Sequence, residues 1–140
     1  MHVSVVVCTY TMDRYDDFSE AVESVLRQTH DPIEVVLVSD GNSVVAEHMT
    51  ADFGHHDAVR VHCTDENRGI SYARTRGAEV ATGELVAFLD DDAIATYDWI
   101  ETLVETYSST DAYAVGGRLD TQWLAGKPSF LPEECYWLMG

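Results

Sequence analysis

The apolar residues of this chain change their spacing repeatedly, and that alternation limits the architecture more than any other feature. Val3–Val7 is an apolar run broken only by Ser4, as expected of a strand covered on both faces. In the next segment Phe18, Ala21, Val22, Val25 and Leu26 fall at i, i+3, i+4, i+7 and i+8. That is one helical face, ending before His30-Asp31-Pro32. Val35–Val38 reads as a second strand, closed by the turn-forming quartet Ser39-Asp40-Gly41-Asn42. A weakly patterned helix is expected from Val44 to Phe53, ended by Gly54, and a third strand at Val59–Cys63. Ile70 to Ala81 is helical with Gly83 as its cap, and Leu85–Leu89 is a fourth strand, read as buried. Tyr97 to Tyr107 sets Ile100, Leu103, Val104 and Tyr107 on one helical face, and Ala112–Val115 is expected to be a fifth strand before Gly116-Gly117. Beyond Arg118 the period is lost, and Pro128, Pro132 and several aromatics predict an irregular, packed loop. Strands alternating with helices fold as a mostly parallel sheet between helical layers, so the expected class is α/β with three layers. A chain of 140 residues holds one such core.

Charge narrows the partners. Twenty-five acidic residues face eight basic ones, a formal charge of −17, and Lys127 is the only lysine. The acids are spread among well-patterned apolar segments, so they describe a solvated acidic surface and no disordered tail. Such a surface suits a salt-rich, halophilic cytoplasm, where the Debye length falls to about 3 Å at 1 M. Nucleic acid and anionic membrane surfaces need positive patches and are poor partners. An anionic small substrate would require a metal ion or a few placed arginines.

Cys8, Cys63 and Cys135 are odd in number, far apart and without a CxxC, which argues against a disulfide framework and a zinc site. Cys8 and Cys63 are expected to be buried free thiols. The start MHVSVVVCTY lacks a basic n-region, and no apolar run approaches the ~20 residues of a membrane span. The expected location is therefore cytoplasmic, at the cytoplasmic face of a membrane if a longer protein carries an anchor. His55-His56, flanked by Gly54 and Asp57, reads as a solvated loop.

In parallel sheets ligands gather at the carboxyl ends of the strands. Here those ends carry Cys8-Thr9-Tyr10, Ser39-Asp40-Gly41 and Asp90-Asp91-Asp92. The third strand leads through Asp65-Glu66-Asn67-Arg68-Gly69 into a helix bearing Arg74 and Arg76. Tyr10 could stack on a flat base or simply pack. Asp40 could accept from a base N–H or form a local turn. Arg74 and Arg76 lie on different helix faces, so at most one points into a site; arginine and a helix N-terminus suit phosphate oxygens. The triplet repels itself, and no basic residue stands near it in the sequence. A hard divalent cation with oxygen ligands would resolve that and bridge to a diphosphate. Together these parts describe a nucleotide-diphosphate site.

The chain resembles the nucleotide-binding half of a family 2 glycosyltransferase with the GT-A fold. The carrying stretches are VSVVVCTY, ESVLRQTH, VVLVSDGNS, ENRGISYARTRGAEVATGE and LVAFLDDDA, in the family's order over residues 3 to about 117. The resemblance implies a Rossmann-like donor domain at 1–117, with 118–140 beginning an acceptor-side region that is cut short. It implies that Thr9 and Tyr10 line the base pocket, that Asp40 contacts the base, and that Arg74 lies near base and phosphates. The triplet matches the family's DxD element: Asp90 orients the motif, Asp91 faces the ribose, and Asp92 coordinates Mg2+ or Mn2+. Cys8 stands where the family usually has proline, and Ser39 replaces the first acid of the usual DDGS.

The implied reaction is transfer of a sugar from a nucleoside-diphosphate donor of UDP or GDP type to a glycan, lipid-linked or protein acceptor, with inversion. The catalytic base of that reaction is expected beyond Gly140; Glu133 and Glu134 read as an acidic loop surface. A catalytically inactive nucleotide-sugar binding module would keep the same residues. A receiver-like Mg2+-binding signalling domain would also group acids at strand ends. It calls for a lysine at a late strand end, whereas Lys127 lies in an irregular segment.

Overall fold

A computed structural model describes residues 1–123, 126–127, 129–130 and 132–138. Its elements run β1 (Val3–Thr9), α1 (Tyr15–Leu26), β2 (Ile33–Ser39), α2 (Ser43–Phe53), β3 (Val59–Cys63), α3 (Ile70–Val80), β4 (Leu85–Leu89) and α4 (Trp99–Ser108), with a 3-10 helix at Glu133–Leu138. The four strands form one parallel sheet in the order β3-β2-β1-β4. Two crossovers run outward from β1 to β2 to β3, and the next returns past β1 to place β4 on its other side. The order therefore reverses at β1, which puts a crevice beyond the carboxyl ends of β1 and β4.

Side-chain alternation divides the core into two layers. Val5, Val7, Val35 and Leu37 meet Phe18, Val22, Met49 and Ile100 of the helices on one face. On the other face Val6, Cys8, Val36 and Val38 meet Ala73 of α3. That helix packs closely because it presents small residues: a Cβ on Gly77 would stand 2.4 Å from Val6 Cγ1. The three-layer α/β expectation is therefore observed.

Several local expectations are corrected. β4 is an edge strand, with Val86 and Phe88 exposed, because α3 covers β1 and β2 and leaves β4's far side bare. Residues 112–115 form no strand; Tyr113 is fully exposed, and residues 113–117 lie beside β4 and α4 without joining the ladder. The run has strand-like composition, but a strand exists only where a neighbouring backbone takes up its hydrogen bonds. α3 is capped at Ala81, and Gly83 instead sits against Ser4, where a Cβ would approach its backbone nitrogen to 2.5 Å. Cys63 is exposed, while Cys8 is buried as expected. After Arg118 the described residues form no strand or α-helix, but the 3-10 helix at Glu133–Leu138 interrupts the expected irregular loop, and Leu119 and Phe130 are exposed rather than packed. Pro128 and Gly140 lie outside the described residues.

A buried polar knot closes the amino end of the sheet. Glu34, 4% exposed, accepts from Ser4 Oγ and from the Thr82 N–H at 2.8 Å, and its other oxygen meets Arg60 Nε at 2.6 Å. Gly83 N–H donates back to Ser4 Oγ at 2.8 Å. Burial alone would raise the Glu34 carboxyl, but the Ser4 and Thr82 hydrogen bonds and the Arg60 guanidinium outweigh it and hold it below its usual range. A carboxyl depressed on folding stabilises the fold above its unfolded pKa of about 4.3, and that contribution is lost as pH falls through the lower folded value. Glu34→Gln is expected to cost about 2 kcal/mol at pH 7. The gap from wild type should narrow as pH falls below the unfolded carboxyl's range and close once it passes the depressed folded value. Urea unfolding across pH tests this; a pH-independent gap would refute it.

Candidate functional site: a cleft at the carboxyl ends of the strands

The ends of β1, β2 and β4 and the start of α3 enclose an open cleft of about 560 Å³. Thr9, Tyr10, Asp40, Arg74, Asp90, Asp91 and Asp92 all line it, so every residue expected at the site is brought to one place. Arg76 points away and pairs with Glu79, so a single arginine of α3 serves the cleft, as the helical spacing predicts.

Each wall has a physical cause. Tyr10, the residue after β1, keeps a half-exposed ring at the cleft. Thr9 is buried, and its Oγ1 has no hydrogen-bond partner among the described residues. Beneath them, burial pushes the Cys8 thiol up to about 12; the nearby acids add to this against the opposing pull of Arg74. Cys8 is therefore a protonated filler and no nucleophile.

Asp40, 4% exposed, accepts from the N–H groups of Arg68 (3.2 Å) and Gly69 (2.8 Å) and from Thr64 Oγ1 (3.1 Å). It thereby ties the 64–69 segment, and the start of α3, to the end of β2. Gly41 makes the close approach possible at φ +69°, with its N–H on Thr64 Oγ1 at 2.8 Å. Ser39 donates to Asn42 O at 2.6 Å and forms the turn, which is what the serine in place of an acid does here. Asn42 caps α2 through the N–H groups of Val44 and Val45, and its side-chain amide donates to Tyr10 O at 3.0 Å. Thr64 was not singled out from the sequence, and Asn42 was read only as part of a turn, because single polar residues in turns carry no periodic signal.

The acidic triplet has basic partners after all. Arg14, immediately before α1, places Nη2 3.2 Å from both carboxyl oxygens of Asp91 and Nη1 3.6 Å from Asp92 Oδ2. Arg74 pairs with Asp90. Sequence distance hid Arg14, 77 positions from Asp91. The loop after the triplet is fastened to α1: Ala95 N–H donates to Ser24 Oγ at 3.0 Å, and Gln28 holds both Thr96 O and the Ile100 N–H. Those are the serine and glutamine of ESVLRQTH, so that stretch positions the segment following LVAFLDDDA.

The donor set fits a magnesium-type ion. Among the described residues no three His, Cys, Asp or Glu side chains converge to hold a metal alone. Hard octahedral cations commonly take one or two carboxylates and complete their shell with water and substrate phosphates. Asp92, with its side chain 60% exposed, and the buried Asp91 beside it are such a partial set.

An α/β sheet whose strand order reverses over an acidic, arginine-lined cleft is a doubly wound domain with its ligand crevice at the switch point. The chain belongs to glycosyl transferase family 2, whose model matches residues 4–129. It is 60% identical over its whole length to a glucosyl-dolichyl phosphate glucuronosyltransferase of Haloferax volcanii, of which it covers 45%. It is also 35% identical to glycosyltransferase GlyG of Streptococcus pneumoniae, over 83% of this chain and 38% of that one. Among solved structures, the mannosyltransferase PcManGT from Pyrobaculum calidifontis, in complex with GDP-Man and Mn2+, superposes with a TM-score of 0.62 at 25% identity. The match covers 74% of this chain and 31% of that one. S. aureus TarS in complex with UDP-GlcNAc shares the fold at a TM-score of 0.66, over 77% and 31% of the respective chains. The fold is thus GT-A, and the chain spans less than half the length of these relatives.

Proposed function

We propose that the cleft binds a nucleoside-diphosphate sugar with Mg2+ or Mn2+ and presents the sugar for inverting transfer to an acceptor. The observation that carries this reading is the meeting of three strand ends in one cleft, with Arg74 beside the triplet. Tyr10 offers a ring face to the base, and the unpartnered Thr9 hydroxyl offers it a buried polar contact. Asp40 spends three of its roughly four lone-pair sites on the 64–69 segment and keeps one for a base N–H. Arg74 and the start of α3 suit the phosphates. Asp92 supplies the metal ligand, and Asp91 faces the ribose while standing close enough to Asp92 to share the cation, since one guanidinium reaches both. When bound, the cation supplies charge neutralisation on the leaving diphosphate.

On this reading residues 1–117 form the donor side and 118–140 begin the acceptor side. The general base comes from outside these residues, since each acid of the cleft already serves the fold or the donor. Glu133 and Glu134 do not line the cleft, and the Lys127 ammonium holds Glu133 below its usual range, which weakens it as a base. Likeness to the Haloferax enzyme makes a glucuronic acid donor and a dolichyl-phosphate-linked glucose the first pair to test.

Calorimetric titration with UDP and GDP, with and without Mn2+ in molar KCl, tests donor binding. Binding of at least one nucleotide that requires Mn2+ is expected. No heat from either nucleotide with Mn2+ present would overturn the reading.

A further inference from the structure

Arg14 belongs to none of the groups expected at the site, yet it makes the closest approach to the two aspartates that would face ribose and metal. Its guanidinium spans Asp91 and Asp92 at 3.2 and 3.6 Å, from the residue that opens α1. The Asp91 side chain is only 10% exposed, so without a countercharge it would be a poorly solvated anion. Arg14 supplies that charge. Its own side chain is 44% exposed and has room to swing.

A divalent cation on Asp92 and Asp91 would need oxygens that Arg14 now faces, and like charges cannot share them cheaply. Three carboxylates against the guanidiniums of Arg14 and Arg74 leave one net negative charge at the triplet. That net charge still attracts a cation, but Arg14 must first leave the oxygens that the metal needs. A diphosphate arriving with the metal gives the displaced guanidinium a new anionic partner, so metal and anion are accepted more readily together than the metal alone.

We propose that Arg14 is an internal counter-ion that occupies the cation's place on Asp91 and Asp92. It gives way when metal and donor arrive, and transfers its charge to the diphosphate. This couples metal binding to nucleotide binding, and makes Arg14 a positioning residue for the donor. The proposal rests on the donor-site reading given above.

The test is a two-way titration of the chain and its Arg14→Gln variant. Mn2+ binding is followed by loss of the free-ion electron paramagnetic resonance signal, alone and at saturating UDP or GDP. Arg14→Gln is expected to bind Mn2+ alone about 10-fold more tightly, and to lose about 10-fold of the Mn2+–nucleotide coupling, within the usual range of such couplings. Arg14→Lys keeps the charge without the planar fork and is expected between the two. Unchanged or weaker Mn2+ binding in Arg14→Gln, or an unchanged coupling ratio, overturns the proposal. A wild-type chain that binds neither Mn2+ nor nucleotide defeats the donor-site reading itself, which separates the two failures.

Discussion

Asp92→Ala is expected to abolish the Mn2+-dependent part of nucleoside-diphosphate binding, a loss on the order of 100-fold in affinity with metal present. The cause is the small number of protein ligands available. With no third acid poised to take over among the described residues, removing the exposed carboxylate leaves only Asp91, which is buried against Arg14. A cation held by one or two carboxylates and a diphosphate does not survive the loss of one of them. The fold should be indifferent, because the Asp92 side chain is 60% exposed and its ion pair among the described residues is the one with Arg14, at 3.6 Å. Calorimetry with and without Mn2+, beside an unchanged unfolding curve, checks both halves. Metal-dependent binding surviving in the variant would place the cation elsewhere.

The second large effect is expected at a residue that carries no functional group. Gly41→Ala should destabilise the fold by about 3–4 kcal/mol and weaken nucleotide binding at least ~10-fold. At φ +69° a side chain is strained in any case, and the new Cβ would stand 2.1 Å from Asn67 N and 2.3 Å from Glu66 C. Those are backbone atoms, so the whole 64–69 segment must retreat. Retreat breaks the Gly41 N–H bond to Thr64 and strips Asp40 of the N–H groups that it holds. The start of α3 then shifts, and Arg74 with it. Gly116→Ala is the control: nothing lies within 4 Å of its Cβ position, so its effect on stability should be small. A Gly41→Ala protein as stable as wild type by urea midpoint would refute this account of the turn.

Family membership bears on the alternatives left open by the sequence. A receiver-like signalling domain finds no support, and Lys127 pairs with Glu133 outside the cleft. An inactive module that only binds nucleotide sugar differs from a transferase in the acceptor half. The titrations above address the donor side that both readings share.

Much of this was legible in the residues. The shift between period two and period three-and-a-half located four strands and four helices, because a segment's own burial pattern is written along it. The strand-end rule then pointed to Thr9, Tyr10, Asp40 and the triplet among the residues that line the cleft, since in a parallel sheet all carboxyl ends point the same way. The sequence was silent where a partner lies far along the chain. Whether Ala112–Val115 joins a sheet depends on a neighbouring edge, and its composition says nothing of that. β4 reads like a buried strand, but its burial was decided by where α3 crosses. The triplet looked unpaired because its countercharges sit 77 and 16 residues away, on the loop before α1 and on α3.

Alternation of apolar spacing thus determined the fold class and the end of the sheet where chemistry belongs. Only the tertiary structure decided that Asp40 spends itself on a loop and that Arg14 guards Asp91 and Asp92. The physical reason is range. Periodicity is set by each element's own geometry, whereas hydrogen bonds and ion pairs are set by which elements the strand order β3-β2-β1-β4 brings side by side.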